Sequence, residues 1–188
     1  MELSKVGLQA ASELIGTFIL GVFVQSGQRS GATTGTVLPL VCWATYMVFW
    51  RISNSHFNPA VTLSLMFRRD HRKMNIGLGI MYIVAQVFGA FLGAMLSNFF
   101  TFNLKELETN NAFLAILQEL LCSFLYVFFY NITTDKDMLF SNEKAINCFI
   151  ISCSYIGSRQ IFYGASGVAT KNYGAVMNPA VAIGIALA

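Results

Sequence analysis

Two stretches decide how this chain folds: residues 57–67, FNPAVTLSLMF, and residues 177–187, MNPAVAIGIAL. Each carries Asn-Pro-Ala, at Asn58, Pro59 and Ala60 and again at Asn178, Pro179 and Ala180, and continues as an apolar run. Neither run reaches the roughly 20 residues needed to cross a bilayer. Asparagine is a favoured N-cap, and proline suits the first helical position, where its missing N–H is one the helix cannot use. Each motif therefore predicts the start of a half-helix, over 58–68 and 178–188. Irregular backbone ahead of such a start is tolerated at membrane depth only where protein buries it or it lines an aqueous cavity.

The rest of the chain supplies the membrane context. Of its 188 residues, 55% are hydrophobic and 11% charged, against ~25% charged in ordinary soluble domains. Charges gather at 68–73, 105–108 and 135–144. Apolar stretches at 8–26, 36–52, 75–100, 112–131 and 145–164 are predicted to span. The first carries Glu13 mid-run and lacks a strong basic start or a cleavage site, so it reads as a retained helix rather than a signal peptide. Cys42, Cys122, Cys148 and Cys153 fall inside these stretches and imply no disulfide framework. His56 and His71 have no neighbours at ligand spacing, so no metal or cofactor is expected. The net charge of +3 comes from residues expected at membrane edges and points to no nucleic acid.

The chain also resembles itself. Residues 13–24, ELIGTFILGVFV, match 119–130, ELLCSFLYVFFY, in the Glu-Leu start, a hydroxyl four positions on, and two phenylalanines. The order is the same in both halves, a Glu helix followed by an Asn-Pro-Ala segment. Three spans lie between the two Glu helices, counting the first, so the halves insert in opposite orientations, an arrangement found in transport folds. We read a single membrane domain over 1–188. Its first repeat is 8–100, with three spans and the half-helix 58–68. Its second is 112–188, with two spans and the half-helix 178–188.

On these residues the chain resembles the aquaporin and aquaglyceroporin (major intrinsic protein) family. The likeness rests on Glu13 with Thr17, His56 to Thr62, Gln86 in AQVFGAFLGA, Glu119 with Ser123, and Gly174 to Ala180. One Asn-Pro-Ala is weak evidence; two in matching repeats are strong. The resemblance implies an all-α integral membrane fold of the aquaporin-like inverted-repeat type with two re-entrant half-helices. It implies a passive channel for water or small neutral solutes, not an enzyme, set in the lipid bilayer as a homotetramer. It implies that Asn58 and Asn178 meet at the pore midplane, and that Glu13, Gln86 and Glu119 hold re-entrant backbone.

Gly89 and Gly93 form a small-xxx-small pair suited to close helix packing. With the N-terminus cytoplasmic, eight basic residues lie inside (Lys5, Arg51, Arg68, Arg69, Arg72, Lys73, Lys136, Lys144) against four outside (Arg29, Lys105, Arg159, Lys171), in line with the positive-inside rule. The sequon Asn131-Ile132-Thr133 is then cytoplasmic and expected to be unused.

Two departures from the family matter. An arginine usually follows the second Asn-Pro-Ala at the outer constriction, and here Val181 stands there. The other constriction positions, carried over by spacing, are Leu38 or Pro39, Ser154 and Ala175. None is charged, so a wider, less polar filter is expected, open to glycerol, urea, ammonia or hydrogen peroxide. The chain also reaches Ala188 with five full spans visible, where the family continues into a sixth. A partial chain is favoured over a partner that completes the wall or a pore that no longer conducts. The rival readings are a structural, non-conducting membrane subunit, an alternating-access transporter, and an intramembrane enzyme built on Ser55-His56.

Overall fold

The apolar stretches become helices and the two short motifs become helix starts. The computed structural model describes residues 3–30, 32–69, 73–100, 112–135, 137–138, 140–161 and 175–188. Its elements are α1 (Leu3–Ser30), α2 (Ala32–Ser53), α3 (Pro59–Met66), α4 (Ile76–Phe100), α5 (Ala112–Thr134), α6 (Lys144–Gln160) and α7 (Pro179–Leu187). No strand occurs among the described residues, as the all-α expectation requires. The half-helices α3 and α7 begin at the prolines, one residue after each asparagine.

By length and apolarity, three helices among the described residues qualify to cross a membrane, over Ser4–Ser26, Ile76–Phe100 and Ala112–Thr134, and Val37–Ser53 is a shorter apolar helix. That is fewer than the five expected spans. The expected fifth span extended to 164, but α6 stops at Gln160, and residues 162–174 lie outside the described residues. Polar side chains on the buried face of α6, among them Asn147, Ser152, Ser158 and Arg159, lower its hydropathy. Of the basic tract, residues 70–72 lie outside the description, as do Lys105, Lys136 and Lys171.

The surface is what lipid demands. Phe99, Phe100, Phe113, Phe124 and Val84 are exposed while Glu13, Thr17, Thr62 and Gln86 are fully buried, the reverse of a soluble domain. In the interior, α1 packs most extensively on α4, α7 lies on α4, and α3 touches α4, α5 and α7. The crossing of α1 and α4 depends on missing side chains. A Cβ at Gly89 would strike the Leu14 carbonyl, and one at Gly93 would strike the Phe18 carbonyl and come within 2.9 Å of the Val22 amide nitrogen. These neighbours are backbone and cannot rotate away. Gly93→Ala should therefore lower the thermal midpoint in detergent by the equivalent of about 1–3 kcal/mol. Gly7→Ala, with nothing within 4 Å of the added carbon, should leave it unchanged.

Candidate functional site

The site is built from two carboxylates, Glu13 buried and Glu119 half-buried, each gripping the turn before a half-helix. Glu13 on α1 accepts from the backbone N–H of His56 through Oε1 (3.0 Å) and of Phe57 through Oε2 (2.7 Å). Glu119 on α5 accepts from Val176 through Oε1 (2.6 Å) and Met177 through Oε2 (2.8 Å). The gripped residues just before each asparagine share an unusual backbone, with φ of 48° at Phe57 and 54° at Met177. A side-chain-bearing residue rarely adopts such a conformation unless its surroundings hold it. The carboxylate supplies that hold, and the turn then aims the next residue into its half-helix.

Gln86 on α4 extends the first grip. Its Nε2 donates to Glu13 Oε2 at 2.8 Å and to Thr62 Oγ1 at 3.0 Å, tying α4 to α1 and α3. Thr62 in turn donates to the Asn58 carbonyl at 3.2 Å and lies 3.1 Å from His56 Nδ1. Ser55 Oγ donates instead to the Tyr46 carbonyl at 2.9 Å. The adjacent Ser55 and His56 thus point into separate bonds and do not form a nucleophile–base contact.

Asn58 and Asn178 sit side by side at the centre, each 2% exposed. Each caps its own half-helix: Asn58 Oδ1 accepts from Ala60 N at 2.8 Å, and Asn178 Oδ1 from Ala180 N at 3.1 Å and Val181 N at 3.4 Å. Each also reaches across. Asn58 Nδ2 donates to the Met177 carbonyl, and Asn178 Nδ2 donates to the Phe57 carbonyl, both at 2.8 Å. Reciprocal bonds of this kind are the mark of two equivalent pieces related by a twofold axis. Each amide spends one of its two N–H groups on the crossing bond. The positive ends of both half-helix dipoles converge on the same point. Pro59 is buried and Pro179 exposed, so the two helix starts differ in cover though not in geometry.

On one side of this pair lies a cavity of about 340 Å³ whose walls include Ser53, His56, Arg68, Tyr82 and Tyr130. The Arg68 guanidinium at its rim pairs with Asp135 at 2.9 Å. The sequon's Asn131 lies within α5, its amide donating to Ser64 Oγ and the Val127 carbonyl. Beside the asparagines the core is aromatic. Tyr46 on α2 and Tyr126 on α5 share a hydroxyl–hydroxyl bond of 2.8 Å, Tyr46 stacks on Phe57, and Tyr155 packs edge-on against Tyr126.

Among the four residues carried to the outer constriction by spacing, Leu38, Ala175 and Val181 come together in one buried cluster. Ser154 does not join them; it is half-buried and its hydroxyl turns back to the Ile151 carbonyl at 2.8 Å. The buried face of α6 is instead Cys148, Ile151, Ser152, Tyr155 and Arg159, the spacing of one helical stripe. Arg159, expected at a membrane edge, is 1% exposed. Its Nη1 donates to the Ala175 carbonyl at 3.0 Å. Sequence reasoning misses the Tyr46–Tyr126 pair and Arg159. Tyr155 and Arg159, four residues apart on the buried stripe of α6, are the available signal for the arginine.

Comparison with known proteins agrees with the fold. The family model described as major intrinsic protein matches residues 9–188. Neurogenic protein big brain of Drosophila melanogaster is 29% identical over 167 residues, covering 77% of this chain and 23% of that protein. The chain therefore spans under a quarter of that relative's length. The X-ray structure of the aquaglyceroporin from Plasmodium falciparum superimposes with a TM-score of 0.72 at 19% identity, covering 97% of this chain and 80% of that one. At that identity the likeness is one of fold.

Proposed function

Because the chain belongs to the major intrinsic protein family, and is an integral membrane protein of that fold, we propose that it acts as a passive channel for water and small uncharged solutes. The observation that carries this reading is the reciprocal pairing of Asn58 and Asn178 across two half-helix starts. A solute in single file must exchange its water shell for fixed donors, and each amide has a second N–H for that purpose. The converging dipole ends oppose cations there. In this reading the repeats 8–100 and 112–188 form the two halves of the pore, Pro59, Ala60, Pro179 and Ala180 open the half-helices, and Glu13, Gln86 and Glu119 support the loops. Leu38, Ala175 and Val181 contribute an apolar stretch of wall.

The test is stopped-flow swelling of vesicles reconstituted with the protein, under water and then glycerol gradients. Both are expected to pass faster than through protein-free vesicles. Glycerol exclusion beside fast water flow would overturn the wider filter inferred from Val181. A structural, non-conducting subunit is the second reading, favoured by the closed Tyr46–Tyr126 contact; equal swelling with and without protein would establish it. A cytoplasmic N-terminus and a homotetramer complete the proposal. The first is supported by the excess of basic residues on one side and the second by family resemblance. Protease protection and the mass of the solubilised particle test them.

A further inference from the structure

We propose that Arg159 of α6 provides the positive charge of the outer constriction that the residue after the second Asn-Pro-Ala, Val181, lacks. Arg159 is the largest fully buried side chain among the described residues. It is held at the turn that leads into α7. Its Nη1 donates to the Ala175 carbonyl at 3.0 Å, and its own carbonyl accepts from the Ala175 N–H at 3.2 Å. One helical turn back on the same stripe, the Tyr155 hydroxyl reaches the Val176 carbonyl at 3.4 Å. Ala175 in turn belongs to the buried cluster that contains Leu38 and Val181. The guanidinium is thus anchored three residues from Asn178, from a different helix than the one on which the family places it.

The chemistry around it is unfinished. A guanidinium has five N–H donors in a fixed plane, and Nε is buried with no partner. Among the described residues no carboxylate makes an ion-pair contact with Arg159; the Glu119 carboxylate holds the adjoining Val176 and Met177 N–H groups. A buried guanidinium with an unmet N–H and no ion-pair contact is costly in a dry core. It is tolerable where water, or a solute carrying acceptor oxygens, takes the Nε donor. In this assignment Arg159 lies beside the permeation path, where its Nε favours uncharged solutes with hydroxyl or carbonyl oxygens. Its charge repels cations at a position where Val181 does not. The assignment rests on the channel reading.

The experiment compares wild type, Arg159→Gln and Arg159→Lys in vesicles at matched protein content, reading potassium leak and osmotic water flux together. Glutamine keeps a donor for the Ala175 carbonyl and drops the charge; lysine keeps the charge. Arg159→Gln is expected to raise the leak-to-water ratio about tenfold or more, with Arg159→Lys near wild type. A purely structural tie would lower the amount of folded protein without moving that ratio. An unchanged ratio in Arg159→Gln, with wild-type water flux present, overturns the assignment and leaves the channel intact. Absence of wild-type flux overturns the channel reading and this assignment with it. Should Arg159→Gln fail to incorporate, Arg159→Cys treated with ammonium-bearing or sulfonate-bearing thiol reagents separates charge from structure in its place, with treated wild type as control. The ammonium adduct should suppress the leak and the sulfonate adduct raise it; equal leaks overturn the assignment.

Discussion

Replacing Glu13 with leucine is expected to destabilise the protein by about 2–6 kcal/mol, because two buried backbone N–H groups lose their acceptor at about 1–3 kcal/mol each. Those groups belong to His56 and Phe57. Gln86 Nε2 keeps its second acceptor, Thr62 Oγ1, so its loss is partial. Phe57 adds to the damage, since its φ of 48° is held by the bond that disappears. Net stabilities of folded domains are about 5–15 kcal/mol, so a loss of this size removes much of the margin. A fall in thermal midpoint in detergent and loss of solute flux at matched expression are the expected readouts. Glu13→Gln keeps one accepting oxygen and should fall between. Glu119→Leu should shift the midpoint in the same direction by less, since it frees the Val176 and Met177 N–H groups at a half-buried position that water can reach. A wild-type midpoint in Glu13→Leu would mean the grip is incidental.

Asn178→Ala is expected to cost about 2–4 kcal/mol from two losses. The helix cap given to Ala180 and Val181 is worth ~1 kcal/mol. The Phe57 carbonyl, whose donor was Asn178 Nδ2, is left with about 1–3 kcal/mol of unmet desolvation. Function should suffer beyond stability. Removing one donor worth ~1 kcal/mol from the narrowest point corresponds to roughly a five- to tenfold drop in permeability. Asn178→Asp keeps the capping oxygen but removes the crossing donor, so it should retain more stability than alanine while losing flux. Equal flux in wild type, Asn178→Ala and Asn178→Asp would remove Asn178 from the path.

What can be read in advance is whatever local chemistry specifies. Asparagine followed by proline in an apolar run can do little but start a helix, and both half-helices begin where that rule puts them. A carboxylate inside an apolar helix needs donors, so Glu13 and Glu119 announce a buried polar partner, and the partner is re-entrant backbone. Gly89 and Gly93 announce close packing on the same grounds. The outer constriction is harder because no motif marks its positions on α2 and α6, and they are carried over by spacing alone. Counting chooses Ser154, whereas the helical stripe that carries Ile151 and Tyr155 puts Arg159 at the turn. Contacts between distant helices, such as Tyr46 with Tyr126, depend on crossing geometry that no local pattern encodes. So does the crossing bond from each asparagine to the opposite half.

The paired asparagines are the centre of the proposal, and a high-resolution structure in lipid that resolves ordered solvent tests them most directly. The expected result is solvent density within ~3 Å of Nδ2 of both Asn58 and Asn178, continuous with a file of waters toward the cavity at His56. A dry contact there, with Tyr46 and Tyr126 closing the core and no density beside either amide, would contradict it.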